Sequence, residues 1–180
     1  MNDNVAIKMA SINGHTEIVK LLLADPRVDP GDGKNPAIKW VVFNGYTELV
    51  ELLLKDSRVN PADCKNFAIR MASKYGCVNI VKLLLKDSRV DPAADLNIIK
   101  QAALSGNKKM VKLLLKSLKH KFNTDAFIEI LPVLLNDTSV EIIDLLTKHL
   151  VKYKWHIIAL LEQHLTIDLM SQISCLVTIN

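Results

Sequence analysis

The sequence has few glycines, few aromatic residues and few cysteines. Only 6 glycines and 5% aromatic residues occur among 180, which argues against an all-β sandwich or barrel. The abundance of Leu, Ile, Ala and Lys favours helices instead. The three cysteines, Cys64, Cys77 and Cys175, are odd in number and lack ligand-like spacing, so neither a disulfide framework nor a zinc site is predicted. We therefore expect an all-α protein in a reducing compartment.

Charge runs and long apolar runs are missing as well. The net charge is +4 and no run of five like charges occurs, so the pattern of a dedicated nucleic-acid binder is absent. The first eight residues show no secretory signal pattern, and Glu162, His164 and Asp168 interrupt the apolar stretch 155–179. Neither secretion nor a membrane span is expected. The predicted location is intracellular, cytoplasmic or nuclear.

Residue patterns of catalysis are also missing. The histidines form no His-Glu-x-x-His motif and no Cys-His pairing at ligand spacing, and no glycine-rich phosphate loop occurs. The Gly-Asp-Gly run at 31–33 is typical of a turn. We predict no enzymatic activity, no catalytic residue, no metal or cofactor, and no small-molecule substrate.

What the sequence does contain is a repeat. The segment AIKMASINGHTEIVKLLLADPRVDP at 6–30 returns in variant form at 37–61 and 68–92, and a partial copy begins at 98. The glycines Gly14, Gly45, Gly76 and Gly106 mark intervals of 31, 31 and 30 residues. A fixed period near thirty predicts a solenoid, in which stacked repeats present a surface to a partner.

Each repeat predicts two helices and a loop. In the first copy, a short helix is expected from about 5 to 12, ended by Gly14, and a second from about 16 to 24. The second helix has so broad an apolar surface that we expect it to be buried between adjacent repeats. Asparagines in equivalent places are predicted N-caps, namely Asn4, Asn35, Asn66 and Asn97. Three loop valines are predicted to be small buried pins, namely Val28, Val59 and Val90.

This arrangement resembles the ankyrin repeat, since GHTEIVKLLL at 14–23 is close to a verbatim match to that family. The usual Thr-Pro-Leu-His start of the first helix is replaced by Val5-Ala6-Ile7-Lys8, and the loop is about two residues shorter than usual. The resemblance implies an ankyrin-type solenoid of helix-turn-helix repeats with short loops in place of full hairpins. The DPRVDP loop is similar to ankyrin arrays of amoebae and giant DNA viruses, which would place a viral protein inside the host cell.

We predict one ankyrin-repeat domain spanning 1–180. Its repeats are expected at about 4–30, 35–61, 66–92 and 97–119. A degenerate repeat at 123–150, containing Pro132, and a C-terminal cap at 151–180 would follow. The function predicted for such a domain is noncatalytic binding of a protein partner, whose identity the sequence does not specify.

The predicted binding surface consists of positions that vary between copies while their neighbours stay constant. By analogy with ankyrin repeats, this end of the first helix faces the concave groove, together with the loop tips. The candidates are Met9, Ile12, Asn13, Trp40, Phe43, Asn44, Met71, Lys74, Tyr75, Gln101 and Leu104. We expect Trp40, Phe43 and Tyr75 to be the central anchors, because aromatic residues are enriched among interface hot spots. The alternative is that Trp40 and Phe43 fill the seam between neighbouring first helices.

Two further surfaces are alternatives. A basic ladder of Lys8, Lys39, Arg70 and Lys100 could bind an acidic partner or nucleic acid, or could pair with a loop aspartate such as Asp32 or Asp63. The loop arginines Arg27, Arg58 and Arg89 form a parallel series. The N-terminal face could be self-capped by Asn2, Asp3, Lys8 and Lys20, could continue a longer array, or could dock on another molecule or a second copy. Charge placed on Ile7 and Val19 is expected to probe that face.

Overall fold

The computed structural model describes residues 4–31, 37–118, 141–142 and 145–146. The chain divides into two compact units, Met1–Asp95 and Leu96–Asn180. The predicted helix near 124–135, Pro132 and the C-terminal cap at 151–180 lie outside the described residues. Of the predicted repeat at 123–150, the buried side chains of Ile142 and Leu146 are described.

Helices make up the regular structure of the described residues, and no strand occurs among them, which confirms the all-α prediction. In the first unit the helices are α1 (Asn4–Ile12), α2 (Thr16–Leu23), α3 (Ala37–Phe43), α4 (Thr47–Leu54), α5 (Asp63–Lys74) and α6 (Val78–Leu84). A short 3-10 helix follows at Pro92–Ala94. The second unit contains α7 (Asn97–Leu104) and α8 (Lys108–Leu118).

The six α-helices of the first unit form two layers. The first helix of each repeat packs on the next, α1 on α3 and α3 on α5, while α2, α4 and α6 pack in the same order. Each first helix also packs on the second helix of its own repeat. The first unit is therefore a stack of three helix pairs, as the period predicts.

Glycine ends each turn between the paired helices because its backbone is left-handed. The φ angle of Gly14 is +74°, a region that costs glycine nothing and other residues about 1 kcal/mol or more. A Cβ atom at Gly14 would lie 2.8 Å from Cζ of Tyr46 in the next repeat. The glycine therefore also lets the following repeat pack closely.

The predicted asparagine caps are wrong at two of the four positions. Asn66 does not cap α5; its Nδ2 donates to the carbonyl of Asp91 at 3.3 Å, and its buried Oδ1 has no hydrogen-bond partner in the described ranges. Asn97 lies inside α7, where Leu96 holds the cap position. The reason is a one-residue shift, since Asn97 precedes its glycine by nine residues and Asn66 by ten. Asn35 lies outside the described residues.

Asn4 contacts the equivalent loop of its own repeat. Its Oδ1 accepts from the backbone N–H of Asp29 at 2.8 Å. Asn4 and Asn66 thus each bind backbone twenty-five residues further along. The recurring asparagine ties the start of the first helix to the loop that closes the repeat.

Three residues before the regular part of α5 are left-handed. Cys64, Lys65 and Asn66 have φ angles of 53°, 57° and 56°. Each non-glycine residue in this region costs about 1 kcal/mol. The segment therefore stores conformational strain ahead of the third repeat.

Replacing Lys65 by glycine is expected to stabilise the protein by about 1 kcal/mol, because glycine adopts this conformation without a steric penalty. Lys65 is exposed, so little packing is lost. The matched control is Lys82→Gly in α6, also exposed, which should destabilise by about 1 kcal/mol. Urea unfolding of both variants checks the opposite signs. Equal destabilisation by the two glycines would contradict the left-handed geometry.

Burial of the second helices follows their place in the stack. In α4 and α6, Leu49, Leu53, Ile80 and Leu84 are at most 1% exposed. In α2, by contrast, Ile18 is 49% and Leu21 is 74% exposed. The prediction that the whole apolar surface is buried is therefore wrong for α2, because no helix pair of the described residues packs before it. The three loop valines are buried as predicted: Val28 5%, Val59 0% and Val90 7% exposed.

The Asp-x-Arg-Val loops bind each repeat to the one before it. Arg58 forms a two-pronged ion pair with Asp56, with Nη2 at 2.6 Å from Oδ2 and Nε at 3.0 Å from Oδ1. Its guanidinium also donates to the carbonyl oxygens of Val28 and Leu23 in the preceding repeat, at 2.7 Å each. Arg89 repeats the pattern on the carbonyl of Val59. The loop arginines are thus inter-repeat hydrogen-bond donors.

Removing the Arg58 side chain is expected to destabilise the protein by about 2 kcal/mol, because two carbonyls and one carboxylate lose a charged donor. The matched control is Arg27→Ala, since the Arg27 side chain is 81% exposed whereas that of Arg58 is 33% exposed. Arg27→Ala should cost at most about 0.5 kcal/mol. Thermal unfolding measures both. Equal costs would show that the inter-repeat bonds contribute nothing.

The same ion pairs predict sensitivity to acid. Hydrogen bonds from the arginine two residues later lower the pKa values of Asp56 and Asp87, and bring that of Asp25 to about 2. A folded pKa below the unfolded value means that the stabilisation is present above pH 4 and is lost as pH falls through the folded pKa. The stability advantage of the wild type over Asp56→Asn/Asp87→Asn should therefore be constant from pH 7 to 5 and shrink below pH 4. Urea midpoints test this, and an advantage independent of pH would contradict it.

Candidate partner-binding surface

The predicted binding residues of the first unit lie on the C-terminal halves of α1, α3 and α5 and in the turns that follow. We call this set the first-helix surface. It comprises Met9, Ile12, Asn13, Trp40, Phe43, Asn44, Met71, Lys74 and Tyr75. Because the three first helices pack side by side, equivalent positions of successive repeats are neighbours.

Phe43 and Tyr75 form an exposed aromatic pair. Their ring centroids are 5.4 Å apart and the rings meet edge to face at 84°. Phe43 is 51% and Tyr75 is 48% exposed. The contact joins the second repeat to the third, while each of the two residues remains about half exposed. Such a pair contributes about 0.5 to 1.5 kcal/mol beyond the burial of its area.

Trp40 is placed differently, since it is half-buried between neighbouring first helices. Its Nε1 is buried and has no hydrogen-bond acceptor among the described residues. The Nζ of Lys8, in the preceding repeat, lies 5.4 Å from the ring centroid, within cation–π range. Trp40 therefore contacts the preceding repeat through Lys8, whereas Phe43 is 51% exposed.

The two asparagines of the surface make structural hydrogen bonds. Asn44 Nδ2 donates to the carbonyl of Ile12 in the preceding repeat at 3.1 Å. Asn13 Nδ2 donates to the carbonyl of Met9 at 2.9 Å. Both side chains thus donate to carbonyls at the C-terminal end of α1; the Met9 carbonyl also accepts from the backbone N–H of Asn13 at 3.1 Å.

The remaining candidates differ in exposure. Met9 is 49% exposed, Ile12 and Met71 are half-buried, and Lys74 is exposed with its Nζ 5.7 Å from the Tyr75 ring centroid. Gln101 and Leu104 lie on α7 in the second unit, where both are half-buried. They remain predicted binding residues of that unit.

The basic ladder does not pair with aspartate uniformly. Arg70 Nη1 lies 3.3 Å from Oδ2 of Asp95, so one of its members makes the predicted kind of ion pair. Lys39 Nζ instead lies 5.4 Å from the ring centroid of Phe67 in the next repeat. The predicted pairing with Asp63 is wrong, because Asp63 accepts from Nδ2 of Asn60 at 2.7 Å. Asp32 lies outside the described residues.

These aromatic contacts were not foreseen from the sequence. Lys8 over Trp40 and Lys39 over Phe67 each join a lysine to a ring of the following repeat. The signal available was spacing, since the ring follows the lysine by 32 residues in one case and 28 in the other. Because the two spacings differ from each other and from the period of 31, the sequence does not show that both lysines make the same kind of contact.

Other features of the described residues offer little chemistry. No group of three or more His, Cys, Asp or Glu side chains among them could hold a metal ion. A shallow pocket of about 320 Å³ beside Gly45, Gly76 and Cys77 contains a single thiol, and burial raises the pKa of Cys77. None of the described helices combines the length and the apolar character needed to cross a membrane.

Comparison with known families identifies the fold. The family model for ankyrin repeats in three copies matches residues 7–98 and, in a second overlapping match, residues 40–126. The matches cover more than half of the sequence, so the chain belongs to the ankyrin-repeat family. Ankyrin repeats are generally protein–protein interaction modules. Searches of curated proteins and of solved structures returned no significant match.

Proposed function

We propose that the chain binds a protein partner through the first-helix surface, with Phe43 and Tyr75 as the central contacts. The observation that carries this proposal is the exposed pair itself, with ring centroids 5.4 Å apart and each residue about half exposed. These rings occupy positions that vary between repeats, while the buried positions beside them, Val42 and Ala72, are small.

Physical chemistry favours these rings as binding residues. Aromatic side chains bury a large area with few rotatable bonds, so less entropy is lost when a partner covers them. Phe43 and Tyr75 are already held against each other, and their helices are fixed by the stack. A partner therefore meets a preorganised apolar surface, flanked by exposed Met9 and Lys74.

A peptide-display selection on the immobilised chain tests the proposal. Selected peptides are labelled, and their affinity is measured by fluorescence anisotropy for the wild type, Phe43→Ala and Tyr75→Ala. We expect both substitutions to weaken binding by about tenfold or more. The matched control is Leu21→Ala, an exposed apolar residue in the other layer, which should bind as the wild type does. Peptides that are insensitive to both aromatic substitutions would refute the proposal.

A second candidate function is docking through the N-terminal face, favoured by the exposed apolar residues Val5 (53%), Ile18 (49%) and Leu21 (74%). The residues expected to probe this face were wrong, because Ile7 is 2% and Val19 is 0% exposed. Both point into the core of the first repeat. The charged substitutions that probe this face should therefore be made at the exposed residues Val5 or Leu21.

Light scattering tests docking of a second copy on this face. If the face self-associates, the wild type should show a mass above the monomer at high micromolar concentration, and Leu21→Lys should return it to the monomer. Phe43→Lys, exposed on the first-helix surface, is the matched control and should leave the mass unchanged. A monomeric wild type would exclude self-association through this face.

A further inference from the structure

The two helix layers of the first unit differ in charge. The first helices, α1, α3 and α5, carry five basic residues and one acidic residue. The second helices, α2, α4 and α6, carry two basic and three acidic residues. The basic residues of the first helices are Lys8, Lys39, Lys65, Arg70 and Lys74. The layer that contains the first-helix surface is therefore positively charged, although the whole chain has a net charge of only +4.

Three of these cations make aromatic contacts rather than ion pairs within the part of the chain that the structure describes. Lys8, Lys39 and Lys74 lie over aromatic rings, with Nζ 5.4 to 5.7 Å from the ring centroids. None of the three makes an ion pair with a carboxylate in the described part of the chain, whereas the charge of Arg70 is paired with Asp95. A cation–π contact orients an ammonium group but does not neutralise it.

Positive charge and apolar rings lie side by side. Lys74 lies over the ring of Tyr75, which contacts Phe43, and Lys8 lies over Trp40, one helical turn before Phe43 on α3. A partner that covers the exposed rings therefore brings its own side chains close to these ammonium groups. Carboxylates at that distance are attracted, and additional cations are repelled.

We infer that the partner of the first-helix surface is an acidic protein segment that carries apolar side chains among its carboxylates. This inference rests on the proposed function, because it assigns a chemistry to the same surface. The apolar side chains cover Phe43 and Tyr75, and the carboxylates reach Lys8, Lys39 and Lys74. The charge contributes mainly to selectivity and to the rate of association.

A protein segment fits this surface better than a nucleic acid does. Binding of a single strand needs aromatic faces on which successive bases stack. Phe43 and Tyr75 meet edge to face at 84°, and Trp40 is half-buried under Lys8. The surface offers apolar edges and separate ammonium groups, which suit the side chains of a peptide.

The experiment uses the peptides selected on the intact chain. Their acidic content is compared with that of the unselected library, and the affinity of the best peptide is measured from 50 to 500 mM NaCl. The test variant is Lys8→Gln/Lys39→Gln/Lys74→Gln. The matched control, Lys20→Gln/Lys82→Gln/Lys86→Gln, removes the same charge from exposed positions outside the first helices.

We expect an excess of Asp and Glu in the selected peptides. The test variant should bind the best peptide about tenfold more weakly at 50 mM NaCl, with a much smaller difference at 500 mM, because salt screens the attraction. The control should stay within about twofold of the wild type.

The opposing results are distinct. Peptides that depend on Phe43 and Tyr75 but show no acidic excess, and that bind the test variant as well as the wild type, would overturn this inference and leave the proposed function intact. Peptides insensitive to Phe43 and Tyr75 would overturn both. Tighter binding of a twenty-nucleotide oligo-dT than of any selected peptide, lost in the test variant, would assign the surface to nucleic acid and also overturn the inference.

Discussion

Leu49→Asp should abolish cooperative folding of the first unit or destabilise it by at least about 3 kcal/mol. Leu49 is the third residue of α4 and is 1% exposed. It is enclosed because α4 packs between α2 and α6 and also contacts α3 of its own repeat. A carboxylate there has no water and no partner, which makes its burial costly. Circular dichroism with urea unfolding measures the loss.

The equivalent substitution in the first repeat is the control. Ile18 is also the third residue of its helix, and it is 49% exposed. Ile18→Asp introduces the same charge at the same distance from a helix N-terminus, where a negative charge is slightly favourable. We expect its cost to stay below about 1 kcal/mol. Equal destabilisation by the two aspartates would contradict the order of stacking, in which α2 ends the described layer.

The second large effect concerns binding. Phe43→Ala and Tyr75→Ala should each lower the affinity for a selected peptide by about tenfold to thirtyfold, which corresponds to about 1.4 to 2 kcal/mol of binding free energy. The double variant should weaken binding more than either single variant, but by less than the product of the two single factors. The rings touch, so the combined loss is expected to be smaller than the sum of the single losses. Anisotropy titrations of the four proteins form the double-mutant cycle.

Folding must be controlled in that cycle. Because both residues are about half exposed and each alanine also removes the ring contact, each substitution should cost about 1 to 2 kcal/mol of stability, and circular dichroism of the folded protein should remain unchanged. Strict additivity of the two binding losses would show that the peptide contacts the rings independently. Unchanged affinity in the double variant would remove the aromatic pair from the binding site.

Much of the fold follows from the repeat in the sequence. The glycines at φ near +70° and the buried loop valines lie where the period places them. These positions are predictable because local chemistry decides them: glycine adopts the left-handed turn without a steric penalty, and valine is small and apolar. The bounds of α1 and α2 follow for the same reason, whereas the start of α5 at Asp63 does not.

The inter-repeat contacts could not be derived in the same way. Arg58 is an example, because its partners are backbone carbonyls thirty and thirty-five residues earlier. Every residue has a backbone carbonyl, so the sequence does not indicate which carbonyls accept these hydrogen bonds. The predicted N-cap at Asn97 was wrong because the fourth repeat is one residue shorter between this asparagine and its glycine, which places Asn97 inside α7. The sequence pattern predicts Trp40 and Phe43 as equivalent anchors. Their difference in exposure, with Trp40 half-buried and Phe43 exposed, is visible only in the three-dimensional structure.

The exposure of apolar residues at the N-terminal face also could not be predicted from the sequence. Ile18, Leu49 and Ile80 occupy the same position in three repeats, and their exposures are 49%, 1% and 1%. The residue type is apolar in each copy, so the pattern alone predicts burial for all. What differs is the neighbour on one side, which depends on the place of the repeat in the stack.

The most direct test of the central claim is an NMR titration of the isotope-labelled chain with a saturating selected peptide. Binding through the first-helix surface predicts that the largest amide shift changes lie at Phe43, Asn44, Lys74 and Tyr75, with small changes in α2, α4 and α6. Shift changes confined to the second helices or to the N-terminal face, with Phe43 and Tyr75 unaffected, would contradict it.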